Sequence, residues 1–119
     1  MSITISTEPN ELTSLELMIN ATDSAGNSVT PTAAWWTLTS IDGSSIINSR
    51  KDVTISDLGT TMTVTLRDED LAVDNDSDTE RLFTVEGTYN KGSETGLAFK
   101  EEATFTIKNL KYVGSAIDT

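Results

Sequence analysis

The chain of 119 residues has 36% hydrophobic residues, a formal net charge of −11, and neither cysteine nor histidine. This length suits one domain with a buried core that needs no disulfide or structural metal. Without histidine and cysteine, the chain lacks the commonest general base, the thiol nucleophile and the usual zinc ligands. No G-x-S-x-G turn, S-x-x-K pair or glycine-rich phosphate loop occurs. We therefore expect a protein that is not an enzyme.

The acidic balance restricts the partners that the protein is expected to bind. Only eight lysines and arginines are scattered among 19 acidic residues, whereas nucleic acids and anionic membranes are bound by clustered bases. No apolar run approaches the length of a membrane span. The opening MSITISTEPN has neither the basic start nor the apolar region of a secretory signal. The sequence thus predicts no nucleic-acid or membrane partner, and a protein that folds where it is made.

Alternation of apolar and polar residues predicts the first strands. In LTSLELMINAT, every second residue from Leu15 to Ala21 is apolar, which is typical of a half-buried strand. The polar stretch Asp23 to Asn27 then predicts a turn. In TAAWWTLTS the same rule places Trp36 in the core and Trp35 on the opposite face of its sheet.

A hairpin is predicted next, because Asp42-Gly43 favours a type I′ turn. It would pair residues 35–41 with residues 44–49. Further strands are predicted at 53–55, in TTMTVTL and in RLFTVEGTYN, and the last lies in LAFKEEATFTIKN. Three charged residues, Lys100 to Glu102, interrupt that last strand and predict a bulge or a bend toward a sheet edge. The whole pattern indicates an all-β, antiparallel β-sandwich of seven to eight strands without a disulfide.

These residues resemble an immunoglobulin-like domain. The resemblance rests on Leu15-Glu16-Leu17, Trp36, the segment MTVTL at 62–66, Asp70-Leu71-Ala72 and the segment VEGTY at 85–89, and it covers roughly residues 10–110. The cysteine pair of antibody domains is absent, so packing alone would close the core. We expect residues 1–110 to form this single domain and residues 111–119 to form a C-terminal arm.

Within that group, the chain resembles small bacteriophage virion accessory proteins, such as head decoration and tail-surface domains. Those proteins are similarly short, acidic, free of cysteine, and rich in serine and threonine. The resemblance implies a structural and interaction protein of the virion that decorates the capsid and docks on its lattice, with a capsid or tail protein of the same virus as partner. The resemblance is also compatible with a homo-oligomer. The alternatives are a tail or baseplate domain, or a calcium-dependent carbohydrate- or receptor-binding module.

The stretch RDEDLAVDNDSDTE, residues 67–80, holds seven acidic residues and has two interpretations. As a solvated connection between strands, it would contain one helical turn capped by Asp68, with Leu71 and Val73 beneath the core. As a calcium site, it would use Asp74, Asp76 and Asp78, together with Asp70 or Glu80. Their oxygens suit calcium, although the rest of an EF-hand loop is missing.

Trp35 and the chain ends are the remaining candidates for partner binding. Tryptophan is enriched at binding hot spots, so a solvent-facing Trp35 predicts a docking surface, unless a neighbouring segment covers it. Near the C-terminus, Tyr112, Val113 and Ile117 are apolar residues that the sandwich does not need. They predict an arm that adds to a partner's sheet edge, while fraying is the alternative for any terminus. The segment at residues 2–7 predicts a first strand, either paired within its own chain or swapped.

Overall fold

The computed structural model of the chain describes residues 2–5, 8–23, 25–73 and 77–109. In this part of the chain there are seven strands and one short 3₁₀ turn, Asp68–Leu71. No helix in these ranges is both long enough and apolar enough to span a bilayer. The strands are β1 (Ser2–Ile5), β2 (Ser14–Asn20), β3 (Ala33–Ser40), β4 (Val53–Thr54), β5 (Thr61–Arg67), β6 (Thr79–Lys91) and β7 (Glu94–Ile107).

The strands form two antiparallel sheets. One has the order β1-β2-β5 and the other the order β4-β3-β6-β7. This is an immunoglobulin-like arrangement in which the short β4 joins the sheet of β3 instead of the sheet of β5. The predicted all-β, disulfide-free sandwich is therefore confirmed, and the sheet that contains Trp35 is the larger one.

The core lies between the sheets and is built from alternate residues of each strand. Trp36 stacks on Phe83 with 5.6 Å between ring centroids, which joins β3 to β6 at the centre of the larger sheet. Each large side chain buried in this way contributes about 1.5–3 kcal/mol. The buried apolar residues are Leu15, Leu17, Ile19, Ala21, Ala34, Trp36, Leu38, Ile55, Met62, Val64, Leu66, Leu71, Phe83, Val85, Phe105 and Ile107.

The N-terminal part of the chain contacts both sheets. Strand β1 pairs with β2 of its own chain, so the structure contains the unswapped form of the predicted first strand. The chain then crosses to the larger sheet, where Asn10 forms a parallel bridge with Lys108. The N–H of Lys108 donates to the carbonyl of Pro9 at 2.8 Å, and its carbonyl accepts from Glu11 at 2.9 Å. This crossing closes one side of the sandwich beside β7.

The hairpin predicted at Asp42-Gly43 is wrong in its second strand. The chain does turn there, but only Gly43 has positive φ, +76°, and a type I′ turn requires it at both central residues. Residues 44–49 form no strand and contribute one bridge, Thr39 to Ile46. On this side of β3 the strand partner is instead the two-residue β4, and β6 pairs along the other side.

The intervening loop stays beside β3 through backbone hydrogen bonds of Leu38 and Ser40. It is not a strand because Asn48 and Ser49 have positive φ. The side chains of Asn48 and Arg50 also bond to Asp70, on the connection between β5 and β6.

The bulge predicted at residues 100–102 is also wrong. The register of β6 and β7 runs unbroken from Tyr89–Leu97 to Thr79–Ile107, and its one irregularity lies between Tyr89 and Lys91. The charged residues fit a regular strand because β7 is an edge strand. Lys100 and Glu102 point to solvent, and Glu101, on the inner side, is only partly buried. The predicted position at a sheet edge is correct.

Candidate functional site

The outer face of the larger sheet carries one cross-strand row of large side chains. Trp35 of β3 lies opposite Glu86 of β6, and Glu86 lies opposite Lys100 of β7. Since successive residues of a strand alternate between faces, burial of Trp36 and Val85 directs this row outward. The antiparallel register therefore brings together residues that are far apart in the sequence.

Glu86 contacts both of its neighbours in the row. The indole Nε1–H of Trp35 donates to Oε2 of Glu86 at 3.2 Å, and Nζ of Lys100 lies 3.4 Å from Oε1. The side chain of Lys100 is 68% exposed and that of Glu86 is 32% exposed, so this ion pair is a surface pair of small energetic value. The arrangement fixes the carboxylate and the indole while the ammonium group stays largely in water.

A groove of about 370 Å³ runs along this row. Trp35, Glu86, Thr88, Ala98 and Lys100 line it, and its floor follows the strands at Gly87 and Phe99. The side of Trp35 that faces the groove is apolar, and Glu86 supplies the charge at its centre. An open groove with an aromatic wall and a fixed carboxylate is suited to binding a partner's side chain or a small ligand.

The floor of the groove has no room for a side chain at Gly87. A Cβ placed there would clash with the carbonyl oxygen of Ala33 and lie 2.5 Å from the ring of Phe99. The ring of Phe99 instead packs against the core and contacts Tyr89, with 6.5 Å between centroids. Sequence analysis did not identify Gly87, Glu86 or Lys100 as parts of a site. The single glycine within an alternating strand was the available signal.

Trp35 itself is half-buried. The prediction that it faces away from the core is correct, and its indole N–H is satisfied by Glu86. The exposed large apolar residues of the described chain lie elsewhere: Leu12, Met18, Ile41 and Ile46. Trp35 is thus held in one orientation at the surface.

The acidic stretch contains a buried carboxylate. Asp70 is fully buried and forms an ion pair with Arg50 at 2.8 Å. It also accepts hydrogen bonds from the side chain of Asn48 at 2.7 Å and from the N–H of Arg67 at 3.1 Å. The guanidinium of Arg50 lies 5.8 Å from the centre of the Trp36 ring. This cluster connects the loop before β4 to the turn after β5 and to the core.

The predicted helical turn is present, but its predicted cap is wrong. The 3₁₀ turn begins after Arg67, and Asp68 is an exposed residue inside it with φ of +50°. Leu71 is buried, and Val73 is partly buried against the core, as predicted. The carboxylate of Asp70, turned inward, accepts the N–H of Arg67 in place of a cap by Asp68.

The predicted calcium ligands are dispersed where the structure describes them. Asp70 is engaged with Arg50, Asp78 accepts the N–H of Asn109 at 2.8 Å, and Glu80 is exposed at the start of β6. Asp74 and Asp76 lie outside the described residues, as do Tyr112, Val113 and Ile117 of the predicted arm. Within the described ranges, no group of three or more acidic residues is placed to hold a metal ion. The calcium site stays a prediction.

Acid is expected to destabilise the fold through three aspartates. Burial alone would raise the pKa of Asp70, but Arg50, Asn48 and the N–H of Arg67 outweigh it and hold that pKa below its ordinary value. The N–H of Asn27 lowers the pKa of Asp23. The hydroxyl of Ser40, followed by the N–H and hydroxyl of Ser44, lowers the pKa of Asp42 to about 2. In each case the aspartate binds a proton at a higher pH in the unfolded chain than in the folded protein.

The stabilisation is therefore fully present above about pH 4, where unfolded aspartates ionise, and is lost progressively toward about pH 2. Thermal melts between pH 7 and pH 2 measure this loss. An Asp70→Asn variant should melt lower at pH 7 and lose less on acidification than the parent protein. If the melting temperature of both proteins fell equally on acidification, Asp70 would not contribute to the acid sensitivity of the fold.

The fold and the groove together define an immunoglobulin-like sandwich with a solvent-facing aromatic groove on its larger sheet. Comparison of the chain with models of protein families, with curated proteins and with solved structures found no match.

Proposed function

We propose that this protein is a non-catalytic interaction domain that docks on a larger assembly through the groove beside Trp35. The observation that carries the proposal is a tryptophan fixed at the surface by Glu86, in an open groove on a sheet face otherwise rich in threonine. Immobilised aromatic side chains are favoured as binding anchors because they contribute a large contact area at a small entropic cost.

A binding role fits the chemistry of the groove better than a catalytic one. Its two charged side chains, Glu86 and Lys100, are paired with each other. The sequence has no histidine or cysteine to activate a nucleophile or shuttle a proton near neutral pH. The groove therefore has the composition of a recognition surface, with one aromatic wall and one orienting carboxylate.

We further propose that the assembly is a bacteriophage particle and that the protein decorates its head, with a tail surface as the alternative. The support is the resemblance to virion accessory proteins and the charge of −11, which keeps a densely displayed protein soluble. The acidic turn after β5 ends beside Arg81 of β6, whose guanidinium donates to the carbonyl of Ala72 at 2.8 Å, and Arg81 is five residues from Glu86, or about 17 Å along the strand. Docking through the groove leaves that acidic end in solvent.

Sedimentation of native lysate on a density gradient tests this proposal. The protein should migrate with large particles, and mass spectrometry should count its copies. Hundreds of copies per particle would support head decoration, and a few copies would support a tail component. Recovery only as a free small protein would contradict the virion role.

A pair of variants tests the groove itself. Trp35→Ser should reduce binding to the particles at least tenfold, because a central aromatic anchor contributes about 2 kcal/mol or more. Met18→Ser is the matched control, since Met18 is 46% exposed on the outer face of the smaller sheet. It should bind as the parent does. Equal binding by all three proteins would place the docking surface elsewhere.

Carbohydrate binding is the second candidate, because an aromatic wall beside a carboxylate also suits a sugar ring. In that case a glycan should quench tryptophan fluorescence, and a chelator should abolish the effect if calcium takes part. If no member of a glycan panel quenched the fluorescence, carbohydrate binding would be rejected and the protein-docking role would be retained.

A further inference from the structure

The groove beside Trp35 has a chemistry that selects one kind of occupant. We infer that it accepts an arginine side chain of a protein partner, an inference that rests on the proposed docking function. A guanidinium group stacks on indole faces and binds carboxylates through a planar fork of N–H donors. Trp35 supplies the aromatic wall and Glu86 the carboxylate, on adjacent strands of the same sheet face.

The carboxylate of Glu86 retains room for such a partner. An ionised carboxylate has about four lone-pair sites, and the protein uses one on Oε2 for Trp35 and one on Oε1 for Lys100. The bond from Trp35 holds the carboxylate beside the ring. The site is thus organised before a partner binds, which lowers the entropic cost of binding.

Lys100 marks the position of the incoming cation. Its ammonium group lies 3.4 Å from Glu86 while its side chain is 68% exposed, so little energy is lost when it moves into water. A guanidinium group that reaches Glu86 from the groove takes the place of this ammonium. Lys100 is therefore an internal competitor of the partner, and removing it should strengthen binding.

The surrounding charge also favours a cation. Glu102 points outward two residues from Lys100 on β7, about 7 Å away, and the chain as a whole carries a net charge of −11. An acidic protein attracts basic surfaces over distances of about a Debye length. Lys100 is the single basic residue among those that line the groove.

The test uses the full chain and the peptide acetyl-Gly-Arg-Gly-amide. Binding is followed by NMR through the indole N–H signal of Trp35, which is assigned with a Trp35→Phe variant because Trp36 gives the second signal. The peptide should shift that signal saturably. Its citrulline counterpart, which keeps the shape but not the charge, should bind at least tenfold more weakly.

Two variants distinguish an arginine site from an apolar groove. Glu86→Gln should weaken peptide binding about tenfold, since one charge-assisted contact is lost. Lys100→Ala should strengthen it roughly threefold, the gain expected from losing a weak surface ion pair. Equal binding of the arginine and citrulline peptides, or weaker binding by Lys100→Ala, would overturn the inference.

The outcome is separable from that of the proposed function. Suppose that the Trp35→Ser variant no longer binds the particles but no peptide shifts the indole signal. The groove then docks a partner of different chemistry, so the arginine inference fails and the docking function stands. If the peptide binds as expected but no particle carries the protein, the arginine site stands and the virion role fails.

Discussion

Replacing Arg50 with methionine is expected to lower the free energy of unfolding by about 3–5 kcal/mol. The substitution keeps an unbranched side chain but removes the guanidinium from above Trp36, and it leaves the carboxylate of Asp70 fully buried without its cation. Replacing Asp70 with alanine should cost less, about 2–3 kcal/mol, because the side chain of Arg50 is 36% exposed and water solvates it. Urea denaturation of the two variants measures the difference.

The control for this pair is an ion pair at the surface. Lys108 lies 3.2 Å from Glu8, and both side chains are about half exposed, so Glu8→Ala should change the free energy of unfolding by at most about 1 kcal/mol. The double variant of Arg50 and Asp70 should be less destabilised than the sum of the single variants. A larger cost for Asp70→Ala than for Arg50→Met would contradict the predicted order.

Replacing Gly87 with alanine is the second substitution with a large expected effect, about 3 kcal/mol or more. The new methyl group would meet the backbone carbonyl of Ala33, which cannot move without disturbing the pairing of β3 and β6. Calorimetry should show the melting temperature falling by roughly 10 °C.

Gly59→Ala provides the matched control, because a Cβ at Gly59 makes only an ordinary contact of 3.4 Å with the carbonyl of Thr61. It should change the melting temperature little. A second comparison separates the two clashes at Gly87. In a Phe99→Ala background the ring is gone and the carbonyl remains, so Gly87→Ala should still destabilise. Full rescue by Phe99→Ala would assign the cost to the ring.

The sequence predicted most of the fold because alternation is a local property. In β2 and β5 every second residue faces the core, and the burial of Leu15 to Ile19 and of Met62 to Leu66 follows directly. The loop at residues 44–52 could not be predicted in this way. Its path depends on bonds from Asn48 and Arg50 to Asp70, 20 or more residues away.

The candidate site was predicted only in part, for the same reason. The solvent-facing orientation of Trp35 follows from the burial of Trp36, and sequence analysis identified it. Its partner Glu86 is 51 residues away, and only the register of β3 with β6 makes them neighbours. The charges at Lys100 and Glu102 predict a local irregularity, whereas they are outward-facing residues of a regular edge strand.

The hairpin of β6 and β7 has a consequence for the order in which the protein folds. Its strands of 13 and 14 residues are joined through Gly92 and Ser93 alone, so closing this loop costs little entropy. The pairing of β2 with β5 joins residues such as Leu17 and Val64, and such distant contacts form slowly. We therefore expect Glu86 and Lys100 to meet early, and the groove to be completed later, when β3 adds Trp35 to the preformed hairpin.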